Sequence, residues 1–111
     1  MDIETKQYKS CDLITVSGRI DSYSAPQLQE AVDEVTDADR FKIVLDMSGV
    51  EFMSSAGLRV LIGTQKKNKK HKDGEIVLTA VPTRIREALD LAGFTPLFKI
   101  YEETMDGIGH F

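Results

Sequence analysis

Val50-Glu51-Phe52-Met53-Ser54-Ser55-Ala56-Gly57-Leu58-Arg59-Val60-Leu61-Ile62-Gly63 decides the reading of this chain. It runs from an apolar strand end, through two serines, into a stretch with apolar residues at helical spacing. Two hydroxyls therefore fall where a helix presents unpaired N–H groups and the positive end of its dipole. The predicted helix spans about Ser55 to about Lys70, with Leu58, Leu61 and Ile62 toward the core. Lys66, Lys67, Lys69 and Lys70 load its last turns, where cations complement the dipole. Two serines allow a division of labour: Ser54 caps the helix by accepting a first-turn N–H, and Ser55 stays exposed.

Upstream, Phe41–Met47 is the strongest predicted strand. Its Ile43-Val44-Leu45 run is apolar on successive residues, so both faces should be buried. Ser48-Gly49 reads as a turn. Before it, Ser24 offers an N-cap with Pro26 in the first turn, and Leu28, Val32 and Val35 follow at helical spacing until Asp37 and Asp39. Ile3–Lys9 and Leu13–Ser17 form an opening hairpin around Ser10-Cys11-Asp12; Gly18 ends its second strand, and Arg19–Tyr23 is a connecting loop. Downstream, Asp73-Gly74 breaks the chain and Glu75–Ala80 is a strand. A helix opening at Pro82 or Thr83 turns Ile85, Leu89 and Ala92 inward and stops at Gly93 in a left-handed cap. Phe98–Tyr101 is a short strand, and Glu102–Ile108 a last helical stretch. The order β-β-α-β-α-β-α-β-α predicts an α/β domain: a mixed five-stranded sheet, antiparallel at its opening hairpin, otherwise largely parallel, packed with about four helices. The serines then lie just past a strand end, the usual functional edge of an α/β sheet.

The chain has 111 residues, 41% of them apolar, enough for one core; 1–111 reads as a single domain. Fourteen basic against eighteen acidic residues leave a net charge of −4, which gives no global pull toward nucleic acid or anionic membranes. No apolar run approaches bilayer length. Asp2 and Glu4 beside Met1 are the wrong charge for a leader, and Cys11 is alone, with no partner for an internal disulfide. A reducing, cytoplasmic setting is expected.

Catalytic chemistry finds little support. A nucleophilic serine needs a base within hydrogen-bond reach. The only histidines are His71, a helix length away at on the order of 20 Å, and His110 near the C-terminal end. Gly-x-Ser-x-Gly is absent, and Gly49 and Gly57 enclose no lysine, so no phosphate-cradling loop is present. A bare helix N-terminus can still hold an anion, which keeps a small anion- or nucleotide-binding enzyme as a competing reading. The lysine run has no interleaved aromatic to stack on bases and reads as a solvated helix end. No His, Cys, Asp or Glu spacing suggests a metal site, and no cofactor is expected. Phe52 and Met53, next to the serines, would suit a partner contact if partly exposed.

Gly18-Arg19-Ile20-Asp21, Ser24-Ala25-Pro26-Gln27-Leu28, Ile43-Val44-Leu45-Asp46 and Ser54-Ser55-Ala56-Gly57-Leu58 together resemble the STAS-domain anti-sigma factor antagonists of bacteria, nearly end to end. Alignment on Gly57-Leu58 puts Ser55 on that family's phosphoacceptor, with Ser54 as second candidate. Two positions depart from the family pattern: Ser54 replaces the usual Asp, and Ala56 replaces a hydroxyl residue. The resemblance implies a partner switch without enzymatic activity of its own. The unphosphorylated domain would sequester a serine-kinase anti-sigma factor, phosphorylation of Ser55 would release it, and a PP2C-like phosphatase would reset it. Asp21, Ser22, Tyr23, Ser24, Ser54, Ser55, Gly57 and Leu58 are the implied contact residues. Direct nucleic-acid and membrane partners are not expected, and self-association stays open. The alternative is a constitutive STAS scaffold or transporter-associated module without phosphorylation, which Ser54 in place of Asp favours.

Overall fold

The computed structural model describes Met1–Phe111 and has the predicted element order. β1 (Asp2–Gln7) pairs antiparallel with β2 (Asp12–Ile20). β2 pairs parallel with β3 (Lys42–Met53), β3 with β4 (Glu75–Thr79), and β4 with β5 (Lys99–Tyr101). The sheet order is β1-β2-β3-β4-β5, so each crossover steps the same way. Right-handed crossovers then force α1 (Ala25–Asp37), α2 (Ser55–Asn68) and α3 (Thr83–Leu91) onto one face. There Leu28, Val32, Leu61, Ile85 and Leu89 meet Ile14, Val16, Ile43, Leu45, Ile76 and Leu78 in the main core. Each large aliphatic side chain buried in this way contributes about 1.5–3 kcal/mol.

The alternate residues Val44 and Val77 point to the other face, and both are fully buried. α4 (Thr104–His110) covers them. A Cβ on Gly107 would stand 2.4 Å from Thr79 Cγ2 and 3.2 Å from Val44 Cγ1, so only glycine lets α4 lie this close. Burial of β3 on both faces thus follows its continuous apolar run.

Several boundaries differ from expectation for physical reasons. β1 ends at Gln7. β2 does not stop at Gly18 but continues to Ile20. Gly18 has φ +92°, and the β2–β3 register shifts on either side of Ser17-Gly18, the signature of an irregularity inside a strand. Ser48-Gly49 is not a turn, because β3 runs through it. A Cβ on Gly49 would lie 2.7 Å from Ser17 Cβ, so this glycine serves close strand approach. Ala92 lies beyond α3 and is exposed, whereas Gly93 takes the expected left-handed conformation at φ +77°. In α2 the buried stripe is Gly57, Val60, Leu61, Thr64, Gln65 and Asn68; Leu58 and Ile62 are only half-buried.

Candidate functional site

Ile20 and Met53 end β2 and β3 as register partners, and the Ser54 N–H donates to the Ile20 carbonyl at 2.8 Å. That bond sets the two post-strand segments, Asp21–Ser24 and Ser54–Leu58, side by side at the carboxyl edge of the sheet. The sequence-predicted contact residues are therefore brought to one rim.

The first segment is built around a carboxylate. Asp21 Oδ1 accepts the N–H groups of Tyr23 and Ser24, each at 3.0 Å. The Ser24 hydroxyl donates to the Arg19 carbonyl at 2.7 Å and accepts the Asp21 N–H at 3.0 Å. Ser24 occupies the N-cap position of α1 without capping it through its side chain; its hydroxyl holds the loop and is buried. The backbone N–H of Ser24, followed by its hydroxyl and the Tyr23 N–H, lowers the Asp21 pKa. A depressed carboxylate stabilises the fold above its ordinary range, and that contribution is lost as pH falls through its lowered value. Ser22 is exposed, and Tyr23 projects with 93% of its surface free.

In the second segment Ser54 has the extended conformation of an N-cap (φ −86°, ψ 174°), and its carbonyl accepts the Leu58 N–H. Its side chain makes no capping bond, contrary to expectation. Ser54 Oγ is enclosed and has no hydrogen-bond partner. Ser55 is the first helical residue and is exposed. No acidic side chain lies in the first turn of α2, so the helix sets no carboxylate of its own against a new anion there. Leu58 is half-buried and Gly57 is buried. A Cβ on Gly57 would stand 2.7 Å from Ile20 Cγ2 and 2.9 Å from Met53 Cγ, so its absence lets the helix start sit against both strand ends. Gly57→Val is expected to cost about 2 kcal/mol in denaturant unfolding. Gly63→Ala, where a Cβ meets nothing within 4 Å, should instead gain about 0.5–1 kcal/mol. Equal effects at the two glycines would contradict the packing argument.

Beside the serines, Phe52 is exposed at 38%, whereas Met53 is buried and offers no contact surface. Arg19 is the register partner of Phe52, and its guanidinium lies 4.4 Å from the ring centroid. This cation–π pair was not singled out from the sequence. Its signal was the parallel pairing of β2 with β3, which requires β2 to continue past Gly18.

The remaining chemistry lies elsewhere. His71 follows α2, and His110 Nε2 sits 2.7 Å from Glu75 Oε1 at the start of β4, the opposite edge of the sheet from Ser55. Cys11 is buried, and burial pushes its thiol pKa up, away from nucleophilic reactivity. No three His, Cys, Asp or Glu side chains converge to hold a metal ion. A cleft of about 230 Å³ at that opposite edge is lined by Lys9, Arg40, Phe41, Lys42 and Lys72 among others. The lysine run is exposed as a solvated helix end, and just beyond it Phe41, distant in sequence, stacks on His71 at 3.5 Å. No helix is long and apolar enough to cross a membrane.

This geometry has known counterparts. The anti-sigma-F factor antagonist RsfB of Mycobacterium tuberculosis is 30% identical over 97 residues, covering 86% of this chain and 77% of its own. The crystal structure of an anti-sigma factor antagonist from Mycobacterium paratuberculosis superposes with a TM-score of 0.88 at 26% identity, covering 98% of this chain and 92% of that one. The Bacillus cell fate determinant SpoIIAA in its phosphorylated form gives a TM-score of 0.75 at 15% identity over 98% of each chain, a likeness of fold. The STAS domain family model matches residues 2–107, and with that match the chain belongs to the STAS domain family.

Proposed function

We propose that this chain is an anti-sigma factor antagonist and that the charge state of Ser55 controls its binding. It acts as a cytoplasmic binding module, not an enzyme. In the unphosphorylated form the rim formed by Asp21, Ser22, Tyr23, Ser54, Ser55 and Leu58, extended by Arg19 and Phe52, docks on a serine-kinase anti-sigma factor and so frees a sigma factor. The observation that carries this reading is the exposed Ser55 hydroxyl at the first position of α2, beside the Asp21 loop.

The kinase binds ATP. Ser55 Oγ attacks the γ-phosphorus, the bond to the ADP leaving oxygen breaks, and the hydroxyl proton passes to a base of the kinase. The product carries about −1.5 to −2 charges at Ser55. The positive helix end tolerates that charge within the domain, so the fold need not open. A packed interface does not tolerate it, because the phosphate adds bulk, desolvation and repulsion from facing carboxylates. A PP2C-like phosphatase hydrolyses the ester and restores binding.

Incubation with the anti-sigma kinase and ATP, followed by peptide mapping in a mass spectrometer, tests this directly. One phosphate on Ser55, absent from Ser55→Ala, is the expected result. Ser54 in place of an acidic residue favours a second reading, a scaffold that binds partners without modification. Absence of transfer from every kinase encoded next to this chain, with partner binding intact, would decide for the scaffold.

A further inference from the structure

Ser55 and Arg59 are both exposed, and both lie in α2, four residues apart. Residues at i and i+4 are neighbours on one helix face, with Cβ atoms about 5–6 Å apart. Helical side chains also lean toward the N-terminus, which inclines Arg59 back over the turn that Ser55 begins. The only ion pairs in the chain are Arg40 with Asp12 and His110 with Glu75, so Arg59 has no carboxylate partner. Asp21, the acid on the same rim, turns Oδ1 onto the N–H groups of Tyr23 and Ser24 and makes no ion pair with Arg59. The other guanidinium of the rim, Arg19, lies over Phe52. At the same helix end the enclosed Ser54 hydroxyl is a donor that nothing in the chain satisfies.

We propose that Arg59 is the intramolecular counter-ion of phosphorylated Ser55, a positioning residue that captures the phosphate across one turn of α2. The guanidinium offers a planar fork of donors matched to phosphate oxygens, and such charge-assisted contacts are the strong ones. Capture has a second effect. In the unphosphorylated protein Arg59 is free to meet a carboxylate of a partner, whereas in the phosphorylated protein it is withdrawn. One modification thus adds an anion to the rim and removes a cation from it.

This inference rests on Ser55 being the modified residue, yet its test does not need the kinase. Phosphoserine is installed at position 55 during synthesis by an expanded genetic code, and the second ionisation of the phosphate is followed by ³¹P NMR at low salt. The titration can be read whether or not any kinase modifies the protein or any anti-sigma factor binds it. The phosphate should titrate about half a pH unit lower in the parent protein than in Arg59→Gln. Arg59→Lys should keep part of that difference, and about 1 M salt should erase it. Identical titrations in the parent and Arg59→Gln would overturn the assignment. So would a titration in Arg59→Gln as low as the parent's together with a raised one in Arg19→Gln, which would make Arg19 the counter-ion.

Discussion

Gln65→Leu should lower stability by about 3 kcal/mol, although leucine nearly matches the volume lost. Gln65 is buried on α2, and its amide ties the start of β4 to the segment that precedes β5, where β5 does not yet pair with β4. Its Oε1 accepts the Ile76 N–H at 2.8 Å, and its Nε2 donates to the Leu97 carbonyl at 2.7 Å and to the Ile76 carbonyl at 3.3 Å. β5 begins to pair with β4 only at Val77, so the outward backbone groups of Ile76 have no strand partner. Leucine would leave them buried and unpaired, at about 1–3 kcal/mol for each group. Thermal unfolding should show a Tm lower by about 15 °C. Binding by the folded fraction should be unchanged, because Gln65 lies about 15 Å along the helix from Ser55. A loss below about 1 kcal/mol would mean that water reaches these groups.

Gln65 also marks where sequence reasoning reached its limit. Hydrophobic spacing selected Leu58 and Ile62 for the core, and both are half-buried. The buried stripe is rotated toward Thr64, Gln65 and Asn68: the Thr64 hydroxyl donates back to the Val60 carbonyl within α2, and the Gln65 and Asn68 amides donate to the carbonyls of Ile76 and Phe41 outside it. Periodicity registers apolar character and cannot see a hydrogen bond that another segment will supply. The glycines misled in a related way. Gly18 and Gly49 read as strand ends, yet both lie inside strands, where one adopts a positive φ and the other lets β2 and β3 approach. Element order, the parallel sheet and the exposed first position of α2 were legible, because each depends on local pattern and on crossover handedness. The Asp21 loop was legible as a location only. Its carboxylate turns inward onto its own backbone, and no spacing rule specifies that. The hydroxyl of Ser54 matched a cap by residue type, but it makes no capping bond.

Charge at Ser55 should have the larger consequence for function. Ser55→Ala keeps the rim neutral and should bind the anti-sigma factor as the parent does, without release by ATP. Ser55→Asp places one negative charge at the first position of α2, where the dipole accepts it. The variant should fold with unchanged or slightly raised stability. Its cost falls on the complex, where a carboxylate must lose water against a surface shaped for a hydroxyl. A penalty of about 2 kcal/mol corresponds to about 30-fold weaker binding. Stability and affinity thus move apart, which separates this effect from simple misfolding. The phosphate, with more charge and bulk, should exceed the aspartate effect.

The most direct measurement is a calorimetric titration of the anti-sigma factor with two preparations of this chain, one unmodified and one phosphorylated stoichiometrically at Ser55. The unmodified protein should bind tightly, and the phosphorylated protein at least about 100-fold more weakly. Equal affinity of the two preparations would contradict the account.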